Sequence, residues 1–524
     1  MAGPCREGEE PKPVMHESKK SDPAVVAVKP TNKAGCISVA EPVEPRAGAE
    51  GNVNQQSTLR AQIRDRVTQA LGRVRQAARD RKKERFTALL HHVNIDLLRL
   101  SFYALKRDAA PGADGVTWKD YEADLENNLR DLHARVHRGA YRAQPSRRTY
   151  IPKADGQQRP LGIAAVEDKI LQRAVVDVLN AVYEEDFLGF SYGFRPGRSQ
   201  HDALDALMVG MERKKVNWIL DIDIRNFFGT VSHDWLKRFL EHRIGDKRVL
   251  RLIGKWLKAG VLEDGVVTQS GDGTPQGATV SPLLANVYLH YVLDLWAQQW
   301  RTRHASGDMI IVRYADDCVL GFEHEEQAKS FLEDLRLRLA EFSLSLHPDK
   351  TQLIEFGRHA AERREQRGQE KPATFTFLGF VLICGESRNG RFQILRKTRS
   401  DRMQATLKRV KDALRQRLHQ PIPEQGSWLR QVVTGFFAYH AVPTNFRALV
   451  AFRHHVSALW KRVLSRRSQR ASTPWQRIKQ LAHDWLPRAR ILHPWPAKRF
   501  DVKYPRWEPS ARIALARICA GGAQ

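Results

Sequence analysis

Two pairs of acidic residues sit in apolar surroundings within a strongly basic chain. Asp316 and Asp317 are adjacent in Tyr314-Ala315-Asp316-Asp317, between the apolar stretches Met309 to Val312 and Cys318 to Phe322, which predicts a tight strand-turn-strand position. Neighbouring carboxylates at a hairpin tip repel each other, and keeping both ionised is costly unless a cation lies between them. Mg²⁺ suits that place, because it takes oxygen ligands and keeps waters and substrate phosphates in its shell. Alone, the pair has a plainer reading, since Asp-Asp is common in turns for conformational reasons. The second pair lies in Trp218-Ile219-Leu220-Asp221-Ile222-Asp223-Ile224, an apolar strand whose alternation puts Asp221 and Asp223 on one face. Carboxylates are unusual inside such a strand. Two-metal nucleotidyl transfer requires carboxylates from two chain segments at one point, with one ion activating a primer 3′ hydroxyl and the other stabilising the leaving pyrophosphate. Asp223 with Asp316 supplies that arrangement and Asp317 completes it. Asp221 is read as a strand-end residue or as support behind the ligands.

The segments that must position these groups alternate helical stretches with short apolar strands from about 90 to 385, an α+β pattern. Residues 1–56 are rich in Pro, Gly, Glu and Lys, and the first Phe, Tyr or Trp is Phe86, so this leader is expected to be disordered. Leu59, Ile63, Val67, Leu71 and Val74 then recur at helical spacing among Arg and Gln, predicting a basic amphipathic helix within an extension over 57–94, either a solvated surface helix or one that touches RNA. After Arg396 the spacing is mostly helical, with Met403, Leu407, Val410 and Leu414 on one face.

The chain of 524 residues is long enough for more than one core, and its formal net charge of +27 favours a polyanionic partner, nucleic acid first. Residues 391–524 hold 28 Lys or Arg against 6 Asp or Glu together with six Trp, an aromatic content that argues for a folded basic unit rather than a tail. The five Cys are far apart, with no C-x-x-C pair, which excludes a disulfide framework and a zinc ribbon and fits a reducing, cytoplasmic setting. No run approaches the roughly 18 apolar residues of a membrane span.

Seven motifs in order resemble those of the reverse transcriptases, most closely the bacterial group II intron reverse transcriptase/maturases. Tyr150-Ile151-Pro152-Lys153 with Arg159-Pro160-Leu161-Gly162-Ile163 is similar to the fingers motif, and Ser191-Tyr192-Gly193-Phe194-Arg195-Pro196-Gly197-Arg198-Ser199 to the next block. Asp223 through Phe228 and His233 resembles the first catalytic palm motif. Gly273-Thr274-Pro275-Gln276-Gly277 leading into Ser281-Pro282-Leu283-Leu284-Ala285-Asn286 resembles the nucleotide-binding loop and helix, and Tyr314 to Asp317 the catalytic turn. His347-Pro348-Asp349-Lys350-Thr351 and Phe375-Thr376-Phe377-Leu378-Gly379-Phe380 look like the last palm blocks.

The resemblance implies a right-hand polymerase fold, with fingers and palm over 95–385, a mostly helical thumb/maturase domain over 386–485 and a short basic DNA-binding tail over 486–524. It implies an RNA-directed DNA polymerase that uses two Mg²⁺ ions, deoxynucleoside triphosphates, an RNA template and a DNA primer, and that binds intron RNA to assist splicing and target DNA to move. Lys153 and Arg159, otherwise solvated charges, would hold the triphosphate. Gln276, otherwise part of an ordinary turn, would touch base or phosphate. Phe228, otherwise a core residue, would exclude a ribose 2′ hydroxyl, and Lys350, otherwise a helix-end lysine, would help organise the site. Gly229 replaces the Asp that usually follows the paired aromatics, and Ala278 a frequent second glycine. With Cys519 alone in the last quarter, a zinc-stabilised His-Asn-His nuclease is not expected, so priming would come from outside. A polymerase domesticated for defence or repair, and an RNA-binding splicing factor without catalysis, are the competing readings; the intact Asp223, Asp316 and Asp317 oppose the second.

Overall fold

The computed structural model describes residues 53–152, 158–263, 265–268, 271–274, 276–370, 372–467 and 473–503. The leader expected over 1–56 lies outside them apart from its last four residues, which open the helix Val53–Asp80. Lys153, Pro275 and residues 504–524 of the expected tail are also outside.

Among the described residues eleven strands form three sheets. Strands β1 (Ser146–Pro152), β2 (Gln158–Ile163), β4 (Val261–Glu263) and β5 (Val266–Thr268) make one, in the order β2-β1-β4-β5. Strands β3 (Trp218–Ile222), β6 (Met309–Tyr314), β7 (Asp317–Phe322) and β8 (Gln352–Glu355) make the central antiparallel sheet, in the order β6-β7-β3-β8. Strands β9 (Phe375–Phe377), β10 (Phe380–Glu386) and β11 (Phe392–Thr398) make the third. Helices alternate with strands along the chain and all strand pairs but β1 with β4 are antiparallel, in keeping with the α+β pattern.

The central sheet is covered on both faces. Ile310, Ile311, Val312, Val319, Leu320, Ile219 and Leu220 are buried, so β-branched runs become strands of the core, while Asp223, Asp316 and Asp317 at one end are not fully buried. The helix Val53–Asp80 packs against the helix Val166–Tyr183 with Ile63, Val67, Val74 and Ala78 buried, while Arg60 and Arg64 stay exposed. Its apolar stripe is therefore used inside the protein.

Beyond β11 four helices, Ser400–Gln416, Ile422–His440, Phe446–Ser465 and Trp475–Trp485, surround a separate core of Val410, Leu414, Leu429, Val433, Phe452, Val456 and Trp460. The sheet thus runs past residue 386, and the helical unit begins at Ser400. Trp460 is fully buried with Nε1 donating to Gln425 Oε1 at 2.9 Å, whereas Trp475 and Trp495 are exposed. The short helix Pro496–Lys503 returns to pack against the helix Gln200–Arg213.

Candidate active site

Strands β6 and β7 pair with Tyr314 opposite Asp317, leaving the two-residue turn Ala315-Asp316. Ala315 has φ +58, a left-handed conformation that costs an alanine about 1–2 kcal/mol. Its surroundings hold it there. The backbone of Gly193 lies so close that a Cβ at 193 would overlap the Ala315 amide, and Asn286 Nδ2 fixes the Gly193 carbonyl at 2.7 Å.

From the other side comes Arg313, the last buried residue of β6. Its guanidinium donates to Asp294 Oδ1 and Oδ2 at 2.7 and 2.6 Å, to Asn286 Oδ1 at 3.1 Å, to Ser191 Oγ at 2.7 Å and to the Ala315 carbonyl at 2.8 Å. All five N–H groups of the fork find acceptors while the side chain is wholly enclosed. Asp294 reaches it from a π-helical turn, His290–Asp294, that widens the helix after Leu289.

Asp223 follows the end of β3. Ile222 pairs with Cys318, so Asp223 comes level with Asp317 across the sheet. Its carbonyl accepts from the His347 amide at 2.8 Å, tying this end of the strand to the loop before β8. The four carboxylates share one field. Burial, then the charges of Asp317 and Asp223, push Asp221 up to about 7. Crowding by protein, then Asp316 and Asp223, raises Asp317 to about 6 against the pull of Arg402 and Lys350. Burial and Asp223 raise Asp316, opposed by its own backbone amide, Arg159 and Arg313. Such excess negative charge is what a divalent cation relieves. Among the described residues no three His, Cys, Asp or Glu side chains form a cluster that could hold an ion as placed, so the carboxylates share a field without closing on a common point.

Lys350 Nζ lies 3.5 Å from Asp223 Oδ2 and is largely exposed. Arg159 stands on β2 opposite Ile151, exposed, with its charge felt at Asp316. The loop holding Gln276 docks on the same strand. Its carbonyl accepts from the Gly162 amide at 2.6 Å, and at Gly277, with φ +106, a Cβ would come within 2.7 Å of the Gly162 carbonyl. The Gln276 Oε1 is enclosed and has no hydrogen-bond partner among the described residues. Gln172 Oε1 secures the loop exit by accepting from the Thr279 amide at 2.9 Å. Phe228 is half-buried, and its carbonyl accepts from the Thr274 amide at 2.7 Å, which links it to the same loop. At Gly229 any Cβ would overlap the Asn226 side chain, so the departure from Asp goes with the left-handed turn at Asn226, φ +45.

Of the expected site residues, Asp223, Asp316, Asp317, Arg159 and Lys350 are brought into one electrostatic neighbourhood, and Asp221 joins them. Gln276 is attached to it through β2. Lys153 lies outside the described residues. Arg313, Asp294 and Gln172 were missed. Arg313 had a signal, a charge ending an apolar strand, of the same kind that marked Asp221.

Residues 151–382 match the family model described as Reverse transcriptase (RNA-dependent DNA polymerase). Over 318 residues the chain is 32% identical to Protein YkfC of Escherichia coli (strain K12), covering 54% of this chain and 79% of that protein. It is also 32% identical over 276 residues to Group II intron-encoded protein LtrA of Lactococcus lactis subsp. cremoris, covering 50% of this chain and 46% of that protein. Nuclear intron maturase 3, mitochondrial, of Arabidopsis thaliana is 28% identical over 218 residues, covering 36% of this chain and 30% of its own. The chain therefore spans most of the first relative and less than half of each of the other two.

Proposed function

The chain belongs to the group II intron reverse transcriptase/maturase family, and from that premise we propose that it copies RNA into DNA with Asp223, Asp316 and Asp317 and also binds intron RNA to assist its splicing. The central sheet serves as the palm, the β2-β1-β4-β5 sheet with the helices before it as the fingers, and the helices from Ser400 to Trp485 as the thumb and maturase domain.

The observation that carries the reading is the register that sets Asp223 level with Asp317 beside a turn clamped by Arg313. Asp316 and Asp223 present oxygens from two chain segments, the donor set Mg²⁺ prefers. Two such ions, when bound, would supply a polarised 3′ hydroxyl and neutralise the leaving pyrophosphate. The protein's own groups do the rest. Lys350 offsets the charge of Asp223; Arg159, exposed and with its charge felt at Asp316, would hold a triphosphate; and Lys153 is assigned the same role on sequence. The unpartnered Gln276 oxygen offers an acceptor to an incoming nucleotide, and the half-buried Phe228 ring would exclude a 2′ hydroxyl. Asp221, near neutrality in its titration, supports the ligands from behind.

The excess of Lys and Arg beyond residue 390 supports a polyanionic partner for the helical unit, RNA template and intron RNA with a DNA primer and target. No helix among the described residues is long and apolar enough to cross a membrane. The purified full-length chain should extend a DNA primer on an RNA template with deoxynucleotides and Mg²⁺, and stop when the metal is chelated. RNA binding with no extension in any divalent cation would favour the reading as a splicing factor without catalysis.

A further inference from the structure

Residues 487–503 cross from one unit to the other. Arg453 Nε holds the Pro487 carbonyl at 3.0 Å, and Arg430 holds the Trp485 and Asp484 carbonyls at 3.1 and 2.9 Å, so the segment starts fastened to the helical unit. It ends fastened to the helix Gln200–Arg213, which packs directly on strand β6. Arg213 grips Asp501 through both amino groups at 2.9 and 2.7 Å. Lys503 pairs with Asp202, and its Nζ also donates to the Gly197 carbonyl at 3.0 Å.

At the centre is Asp205, almost fully buried. One oxygen accepts from Arg396 of β11 at 3.3 Å and the other from Arg499 of the last helix. Arg499 in turn donates to His493 Nδ1 at 3.0 Å, which leaves the opposite ring nitrogen to donate to the Ala438 carbonyl at 2.8 Å in the helical unit. His201 packs its ring 4.0 Å from that of His493, closing the gap.

The helical unit also meets the sheets near β9–β11, through Tyr439 Oη to the Leu378 carbonyl at 2.7 Å and Asn445 Nδ2 to Thr398 Oγ1 at 2.7 Å, and Tyr439 packs its ring 5.1 Å from that of His201. One attachment permits hinge motion, which is the default between units joined by a modest interface. A second attachment, running from Arg430 and Arg453 to the helix Gln200–Arg213, restrains it. We propose that residues 487–503 are a clasp that fixes the angle of the helical unit to the catalytic sheet, and that Arg499, acting through Asp205, is a positioning residue for retention of the primer-template duplex. This rests on the reading of the helical unit as the part that holds the duplex. Surface ion pairs of this kind stabilise little individually, but here three converge on one helix and one partner is enclosed.

The test uses the full-length protein. Arg499→Gln keeps Asp205 paired with Arg396, so the fold should survive. The rate of adding one nucleotide to a bound duplex should not change, while the length synthesised before dissociation into a heparin trap should fall about tenfold, the effect of losing one charge-assisted hydrogen bond from the bound geometry. Asp501→Arg should shorten products in the same way, and adding Arg213→Asp should restore them. Spin labels attached without cysteine chemistry at the exposed positions Leu337 and Val450 should report a narrow distance distribution in the parent and a broad one in Arg499→Gln. Unchanged product length, or an unbroadened distribution, overturns the clasp. A parent that adds no nucleotide would instead refute the catalytic reading, and the distances would still decide whether the clasp exists.

Discussion

Arg313 and Asp294 form an ion pair of 2.6 Å in which neither side chain exposes any surface. Enclosed pairs of this kind are balanced between desolvation and attraction, so their presence is weak evidence of stability. The placement is more informative. The same guanidinium donates to the carbonyl of Ala315, one residue before Asp316, so the pair connects a buried helix turn to the turn proposed to carry catalysis.

Asp294→Ala should therefore destabilise the protein by about 3–5 kcal/mol, because it strands a buried guanidinium. Replacing both partners by apolar residues, Arg313→Met with Asp294→Leu, should recover most of that stability in urea unfolding. Primer extension should not recover, since the donor to Ala315 is gone. A double variant with parental extension would reduce Arg313 to a packing residue.

Gly193→Ala adds one methyl group where the Ala315 amide already sits. The turn must shift, so nucleotide addition should drop at least tenfold, about 1.4 kcal/mol of transition-state stabilisation, with RNA affinity preserved. Parental kinetics from this variant would mean that the turn tolerates displacement and that its clamping is irrelevant to catalysis.

Shortening Phe228 should relax sugar selection, because the half-buried ring is the bulk proposed to meet a 2′ hydroxyl. Competition between ribo- and deoxynucleotides on an RNA template measures this directly. If Phe228→Ala discriminates as well as the parent, another residue is the gate.

Lys408, Lys411 and Arg462 line one groove between the helices Ser400–Gln416 and Phe446–Ser465, floored by Leu407 and Leu459. Changing all three to Gln should lessen the salt dependence of RNA binding, with the slope of log K against log salt falling by ~2 if each neutralises one phosphate of a single strand. Point changes are the right probe, because cutting the chain at 398 would also remove the helix packed on Gln200–Arg213. An unaltered slope would put the RNA elsewhere.

Much of the candidate site was legible because it is built from local patterns. The apolar runs Met309 to Val312 and Cys318 to Phe322 read as strands, and the Asp pair between them falls at the turn that joins them. Asp221 was harder. Alternation put it on the face of Asp223, yet its part in the shared field depends on Asp317 lying across the sheet, which spacing cannot reveal. Asp294 could not be read at all, since a π-helical turn breaks the 3.6-residue period that orients side chains. The partners of the basic residues near 500 were hidden for a different reason. Net charge counts Arg499 and Lys503 as free for a polyanion, while Asp205 and Asp202, some 300 positions earlier, are what they meet.

The central claim is that Asp223, Asp316 and Asp317 carry nucleotidyl transfer, and primer extension by Asp316→Asn tests it most directly. Asparagine keeps the size of the side chain and removes the charge, so the turn held by Arg313 should persist and RNA should bind as in the parent. DNA synthesis on an RNA template should then be lost in Mg²⁺. Extension by Asp316→Asn at a substantial fraction of the parental rate, with RNA binding equally intact, would contradict the account.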